Sequence, residues 1–300
     1  MGTGLNKLIY CNQYKNPSIQ LDRMPTIPPF IYLFTFFAIF WCNGQEKEER
    51  TRFFPKVELR GKNVPNKENL WVFILAGQSN MAGRGLVEPQ DTVPNKRVYT
   101  LNKKGDIIFA KEPLHFYEPS MAGLDSGLSF GKSVIRQIPD SISVLLIPTA
   151  VGGSSISQWL NDSIHREVKL LSNFKQKAEW GMRYGRIKGI LWHQGESDAQ
   201  TKKAPLYQSR LSELFHQFRK IIGNQETIIL IGQLGSYSTD PLWSKINNHI
   251  KYYVSTDSNT AVINTHDLKD KGDKVHFNSE AQRLMGERYA QEFINLQEPH

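Results

Sequence analysis

Ser79 stands in the turn Gly77-Gln-Ser-Asn-Met81, directly after the apolar run Trp71-Val-Phe-Ile-Leu-Ala76. A serine hydroxyl is a poor nucleophile until a base takes its proton. A histidine can do so near neutral pH, and a carboxylate then fixes the ring's tautomer and stabilises the imidazolium. The chain offers such a pair in Asp273-Lys-Val-His276. An aspartate three residues before a histidine can turn back to its ring within one loop. Asp267 and Asp270 lie upstream as further acids, and Asp273 is favoured because its loop is the shortest to close.

Attack on a carbonyl also requires donors aimed at the oxygen that becomes charged. The segment Ser143-Val-Leu-Leu-Ile-Pro-Thr-Ala-Val-Gly-Gly153 reads as a strand followed by a glycine turn, whose backbone N–H groups can serve. The choice between Gly152 and Gly153 stays open. A third apolar run ends in the polar cluster Trp192-His-Gln-Gly-Glu-Ser-Asp198, where Gln194 could donate its side-chain amide. His193 and Glu196 form a His-x-x-Glu pair, a weak ligand pattern with no cysteine nearby and no further histidine clustered in sequence. Both are read as support for the loop, as are Gln78 and Asn80 beside the serine. No metal and no organic cofactor is expected.

These clusters need a frame. Strand-like runs at 71–76, 98–101, 143–149, 187–192, 227–234 and 261–264 alternate with helical stretches. One helix is expected from Pro205 to Ile222, where Leu206, Leu211, Leu214, Phe215 and Phe218 recur near a 3.6 period. Another is expected over 277–290, with Ser279 as N-cap and Gln282 three residues on as its capping-box partner. Alternating β and α elements argue for a parallel sheet covered on both faces. A serine at the C-terminal mouth of a buried strand then lies where open α/β sheets place their chemistry.

With these blocks the chain resembles the SGNH hydrolase superfamily. More closely it is similar to the sialate O-acetylesterase-like and acetylxylan-esterase-like group, carbohydrate esterase family six. Gly77-Gln-Ser-Asn-Met81, Gly152-Gly-Ser-Ser-Ile156 with Trp159, Trp192-His-Gln-Gly-Glu-Ser-Asp198 and Asp273-x-x-His276-Phe277 match the group's four blocks in order. The resemblance spans roughly 70–292. It implies an α/β fold, a three-layer α/β/α sandwich with a mainly parallel central sheet of flavodoxin-like type. It also implies Ser79 as nucleophile, His276 as base and Asp273 as the orienting acid, with Glu196 an alternative acid. The oxyanion hole would comprise the Ser79 N–H, a backbone N–H at Gly152 or Gly153, and Gln194. Related proteins remove acetyl groups from sugar hydroxyls. One departure is the loop Gly123-Leu-Asp-Ser-Gly127, where relatives often carry Gly-Pro.

Three hundred residues, with motifs spread through the body, suggest one catalytic domain over 70–295, preceded by an extension at 45–69 and a leader at 1–44. In the leader, 30–42 is an apolar run too short for a comfortable membrane span and suited to a signal-peptide core. Cys42-Asn-Gly44 before Gln45 offers small residues at a cleavage site, and Met24 would give a leader of ordinary length. The expected location is therefore secreted or periplasmic, with membrane anchoring the alternative. The only cysteines, Cys11 and Cys42, lie in the leader, so the body must rely on its core. The net charge is +8; the leader holds Lys7, Lys15 and Arg23 against Asp22, a net +2, leaving +6 dispersed over the rest. No basic stripe with aromatics suggests nucleic acid, and no feature points to a protein partner. The expected substrate is an acetylated carbohydrate of sialic acid or xylan type, met by platforms such as Trp159, Trp243 and Tyr237. Rival readings are a lipase- or thioesterase-like hydrolase and a non-catalytic carbohydrate-binding protein.

Overall fold

The run Leu70–Gly77 is apolar on both sides of its alternation because both of its faces are covered. It forms β1, the centre of a seven-stranded sheet in a computed structural model that describes residues 49–61 and 64–297. The leader, Cys11 and Cys42, and the start at Met24 lie outside the described residues. The described residues all belong to one unit that begins at Lys47.

The other strands of the sheet are β2 (Val98–Leu101), β3 (Ile107–Phe109), β4 (Ser143–Pro148), β7 (Arg186–His193), β8 (Ile228–Gly232) and β9 (Thr260–Ile263). Their order is β3-β2-β4-β1-β7-β8-β9, and every pairing is parallel except β2 with β3. Counted among themselves, β4-β1-β7-β8-β9 run 2-1-3-4-5, the flavodoxin-like order, with β2 and the antiparallel β3 added outside β4. The chain leaves β1 toward one edge and returns to its other side at β7, so the topological switch lies between those two strands, where ligands settle in such sheets.

Helices cover both faces, giving the three layers expected. Val72, Ile74 and Ala76 of β1 face α3 (Ile156–Leu160), α4 (Leu170–Tyr184), α5 (Tyr207–Ile222) and α6 (Pro241–Val254). Phe73 and Leu75 face α2 (Gly127–Val134) and α7 (Ser279–Asn295). On the first side Phe174 stacks on Phe218 at 3.9 Å; on the second Phe73 meets Phe130 and Phe293 edge-on, each at 4.8 Å. Such pairs add about 0.5–1.5 kcal/mol beyond the area they bury. Among the described residues no helix is long and apolar enough to cross a membrane.

Local details differ from expectation where polar groups decide. α5 starts at Tyr207 after a 3-10 turn at Ala204–Leu206, and ends at Gly223 in the left-handed conformation. α7 is capped by Asn278, whose side chain accepts the Ala281 N–H; Ser279 is its first helical residue and donates to the Leu86 carbonyl. A two-residue hairpin, β5 (Ile164–His165) with β6 (Val168–Lys169), was not expected from the sequence.

Gly77 ends β1 at φ +135, and a Cβ there would lie 2.1 Å from the His193 carbonyl oxygen of β7. Gly77→Ala is therefore expected to destabilise the domain by about 2–4 kcal/mol, because strand backbone cannot give way as a side chain can. Chemical denaturation measures this, and an unchanged midpoint would contradict the close approach.

Candidate active site

Each element of the switch region delivers one part of the site. β1 ends in the short helix α1 (Ser79–Ala82), which carries Ser79 nearly buried at 6% exposure. From the far end of the chain, the turn before α7 brings His276 to it, with His276 Nε2 3.0 Å from Ser79 Oγ. His276 Nδ1 lies 2.7 Å from Asp273 Oδ2. Asp273 Oδ1 accepts the N–H groups of Val275 and His276 at 2.9 and 2.8 Å. Burial pushes the Asp273 carboxyl up, but these backbone donors and the histidine outweigh it and hold the group at about 2. The structure thus lines up hydroxyl, imidazole and carboxylate as a nucleophilic serine requires.

The other acids are engaged elsewhere. Asp267 pairs with Arg288 at 2.5 Å, and Asp270 accepts the N–H groups of Gly272 and Lys274. Glu196 Oε1 accepts from Asn80 Nδ2 at 2.6 Å and lies 3.8 Å from His193 Nδ1. His193 is fully buried and donates from Nε2 to the Gln233 carbonyl at 2.9 Å. Burial pulls its pKa down, against the raising effect of Glu196.

Asn80 ties the two halves of the site together. Its Nδ2 also donates to the Val275 carbonyl at 3.1 Å, its Oδ1 accepts the Phe277 N–H at 3.1 Å, and its own carbonyl accepts from Gln282 Nε2 at 2.9 Å. Both residues flanking His276 are therefore held by the residue that follows Ser79.

Two of the candidate oxyanion donors are engaged elsewhere in the structure. The Gly152 N–H donates to Glu118 Oε2 at 2.5 Å and is spent. Gln194 is fully buried, and its Nε2 donates to Asp198 Oδ2 at 2.6 Å, with Gln78 Oε1 and the Ser154 carbonyl at 3.1 and 3.2 Å. That amide has no hydrogen left for a ligand. Gly153 differs: its carbonyl accepts from Ser197 Oγ, and its N–H makes no hydrogen bond among the described residues. The Ser79 N–H is likewise uncommitted. Gln78 has its Oε1 fixed by Gln194 Nε2 and by the N–H groups of Gly195 and Ser197, at 3.1, 3.5 and 3.2 Å. This aims its own Nε2 away from that loop, where no described residue accepts from it and it is not sealed from solvent.

The clamp on the glycine turn was not visible in the sequence. Glu118 is buried against Arg84 at 2.9 Å and also bonds Arg166, while His165 Nε2 donates to the Gly152 carbonyl at 2.9 Å. Burial raises the Glu118 carboxyl, yet Arg84, the Gly152 N–H and Arg166 together hold it below the usual range. Among the platform candidates, Trp159 is fully buried with its Nε1 on Ser154 Oγ, and Trp243 is a core residue. Neither can meet a sugar. Tyr237 is half-buried and donates to the Val275 carbonyl at 3.0 Å. No group of three or more metal-ligating side chains occurs among the described residues.

Residues 69–295 match the family model of the carbohydrate esterases described as sialic acid-specific acetylesterases. A probable carbohydrate esterase of Arabidopsis thaliana is 27% identical over 261 residues, covering 80% of this chain and 95% of that protein. A crystal structure of an Arabidopsis thaliana protein has a TM-score of 0.68 at 28% identity, over 76% of this chain and 98% of its own. The crystal structure of NanS has a TM-score of 0.63 at 16% identity, over 78% and 99%.

Asn80→Ala removes the two hydrogen bonds by which its side chain holds the turn of His276. Amide hydrogen exchange at Val275 and Phe277 is expected to speed up by about tenfold or more. Unchanged exchange would mean that other contacts fix the turn.

Proposed function

The chain belongs to the sialic acid-specific acetylesterase family of carbohydrate esterases, and on that premise we propose that it is a serine esterase that removes O-acetyl groups from acetylated carbohydrates through an acyl-enzyme. The observation that carries the reading is the continuous line Asp273–His276–Ser79, at 2.7 and 3.0 Å.

Ser79 Oγ attacks the acetyl carbonyl carbon while His276 Nε2 takes its proton. Asp273 keeps the Nδ1–H pointed at itself and stabilises the imidazolium that forms. The oxyanion is met by the N–H groups of Ser79 and Gly153 and by Gln78 Nε2, in place of Gly152 and Gln194. As the tetrahedral intermediate collapses, the C–O bond to the sugar breaks and His276 returns its proton to the departing hydroxyl. Water, activated by His276, then attacks the acetyl carbonyl on Ser79, releases acetate and restores the serine. The anionic Asp273 stays ionised through the whole neutral range because its carboxyl titrates at about 2. The proposal includes export, with the apolar run at 30–42 acting as a signal core and cleavage before Gln45.

The test is acetate release by the full chain from acetylated sialic acid and from acetylated xylan. Ser79→Ala should lower kcat by about 10⁶-fold with folding intact, as removal of a serine nucleophile does. Retained activity in that variant would end the assignment.

A second variant addresses the hole. Gln78→Glu keeps the acceptor oxygen that anchors the 195–197 loop and replaces the donor, and it should lower kcat by about 10²–10³-fold or more. A loss of less than about threefold would take Gln78 out of the hole.

A further inference from the structure

Beyond the glycine turn, on the far side of Arg166, lies an open groove of about 580 Å³. That falls within the roughly 300–1,000 Å³ of small-molecule sites. Phe116 and Trp180 line it and are both half-buried. Its base holds Lys177 of α4, which is only 3% exposed. The ammonium sits 3.8 Å from the centre of the Trp180 ring and 5.6 Å from that of Phe116.

Among the described residues no carboxylate pairs with Lys177 and none accepts a hydrogen bond from it. Lys177 lines the groove, and its Nζ is not sealed from solvent. A lysine serving only to pack would run its stem along the apolar surface and carry its charge out to bulk water. Here the charge is kept under two rings, where it loses hydration without a counter-ion. Burial alone pulls the amine down to about 8.

The rest of the lining does not supply the missing charge. Arg166 is matched by Glu118, and Lys169 by Asp162 at 3.3 Å. Lys103 is a further cation, and Glu167 at the tip of the β5–β6 hairpin is the one acid among the lining residues. Gln176 adds a neutral amide suited to hydroxyl groups, while the Asn173 amide is bonded to the Tyr117 hydroxyl. Arg166 also links the groove to the cleft, since its Nη2 lies 3.7 Å from where a Cβ on Gly153 would stand.

We propose that this groove binds a carboxylate-bearing saccharide unit, with the carboxylate on Lys177 Nζ and the C–H face of the ring against the rims of Phe116 and Trp180. The anion site stands on Lys177 by itself. Its assignment to a saccharide rests on the carbohydrate esterase reading, because Arg166 of the groove lies beside Gly153 of the proposed oxyanion hole.

The test uses the full chain and three probes: D-glucuronate, D-glucose and inorganic phosphate, each titrated by calorimetry without turnover. Glucuronate should bind at least about tenfold more tightly than glucose, and Lys177→Met should abolish that preference. The variant should unfold no earlier than the parent, because an unpaired buried ammonium is replaced by an apolar chain. It should also hydrolyse a small activated acetate at the parent rate. Equal affinity for glucuronate and glucose, no binding of either, or an unaffected Lys177→Met variant would overturn the proposal. Phosphate binding as tightly as glucuronate would overturn the saccharide assignment and leave a general anion site. Failure of the esterase reading shows separately, as a parent protein inert toward acetates whose glucuronate binding persists.

Discussion

The geometry of the cleft depends on one side chain that touches no reacting atom in the proposed mechanism. Ser79 and His276 are 197 positions apart, and their 3.0 Å contact would not survive a small displacement of the turn that carries the histidine. Asn80 prevents that displacement by bonding the residues on both sides of His276. An asparagine suits the task because its amide offers a donor and an acceptor in one plane, matching the carbonyl of Val275 and the N–H of Phe277. Being next to Ser79 in the chain, it measures the position of the histidine from the serine itself. Its second hydrogen goes to Glu196, so the loop after β7 is referred to the same point.

The glycine turn is fixed by a different logic. Gly152 is held at its N–H by Glu118 and at its carbonyl by His165, and Gly153 is held at its carbonyl by Ser197. Each bond removes one way for the turn to move, leaving a single uncommitted donor at Gly153. The carboxylate that does this is buried, and a buried carboxylate persists only when well paired. Arg84 and Arg166 supply that pairing, which connects the cleft to the hairpin beyond it.

What could be read from the sequence follows from which forces are local. The parallel strands β1, β2, β4, β7, β8 and β9 are mostly apolar runs, buried over most of their length, so they stood out. β3 is a three-residue edge strand of partly buried residues, and the β5–β6 turn uses Arg166 and Glu167 in left-handed conformations instead of Asn or Gly. Neither leaves a pattern. Asp273 and His276 share one turn, so their contact could be expected from spacing, whereas Asp267 and Asp270 were excluded only by partners visible in space. The fate of the oxyanion candidates was equally hidden from the sequence. Gly152 is claimed by a carboxylate 34 residues earlier, in a stretch with no periodic signal. Gln194 is claimed by Asp198 only one helical turn away, yet the sequence carries no sign that this bond would outcompete a ligand. Trp159 read as a sugar platform because aromatic type is visible in sequence and burial is not.

The distance in chain between the two ends of the site has a consequence for synthesis. The segment bearing Ser79 leaves the ribosome when the first strand of the sheet is made, and the segment bearing His276 leaves after the last. Between those moments six further strands of the sheet are added, and only then can α7 dock on α2 and β1 and set the histidine turn in place. A nascent chain therefore carries its serine for most of translation without the histidine proposed to activate it. Maturation of the chemistry is timed by the length of the message, and a ribosome stalled upstream of the codon for His276 releases a fragment that holds the hydroxyl and lacks the means to use it.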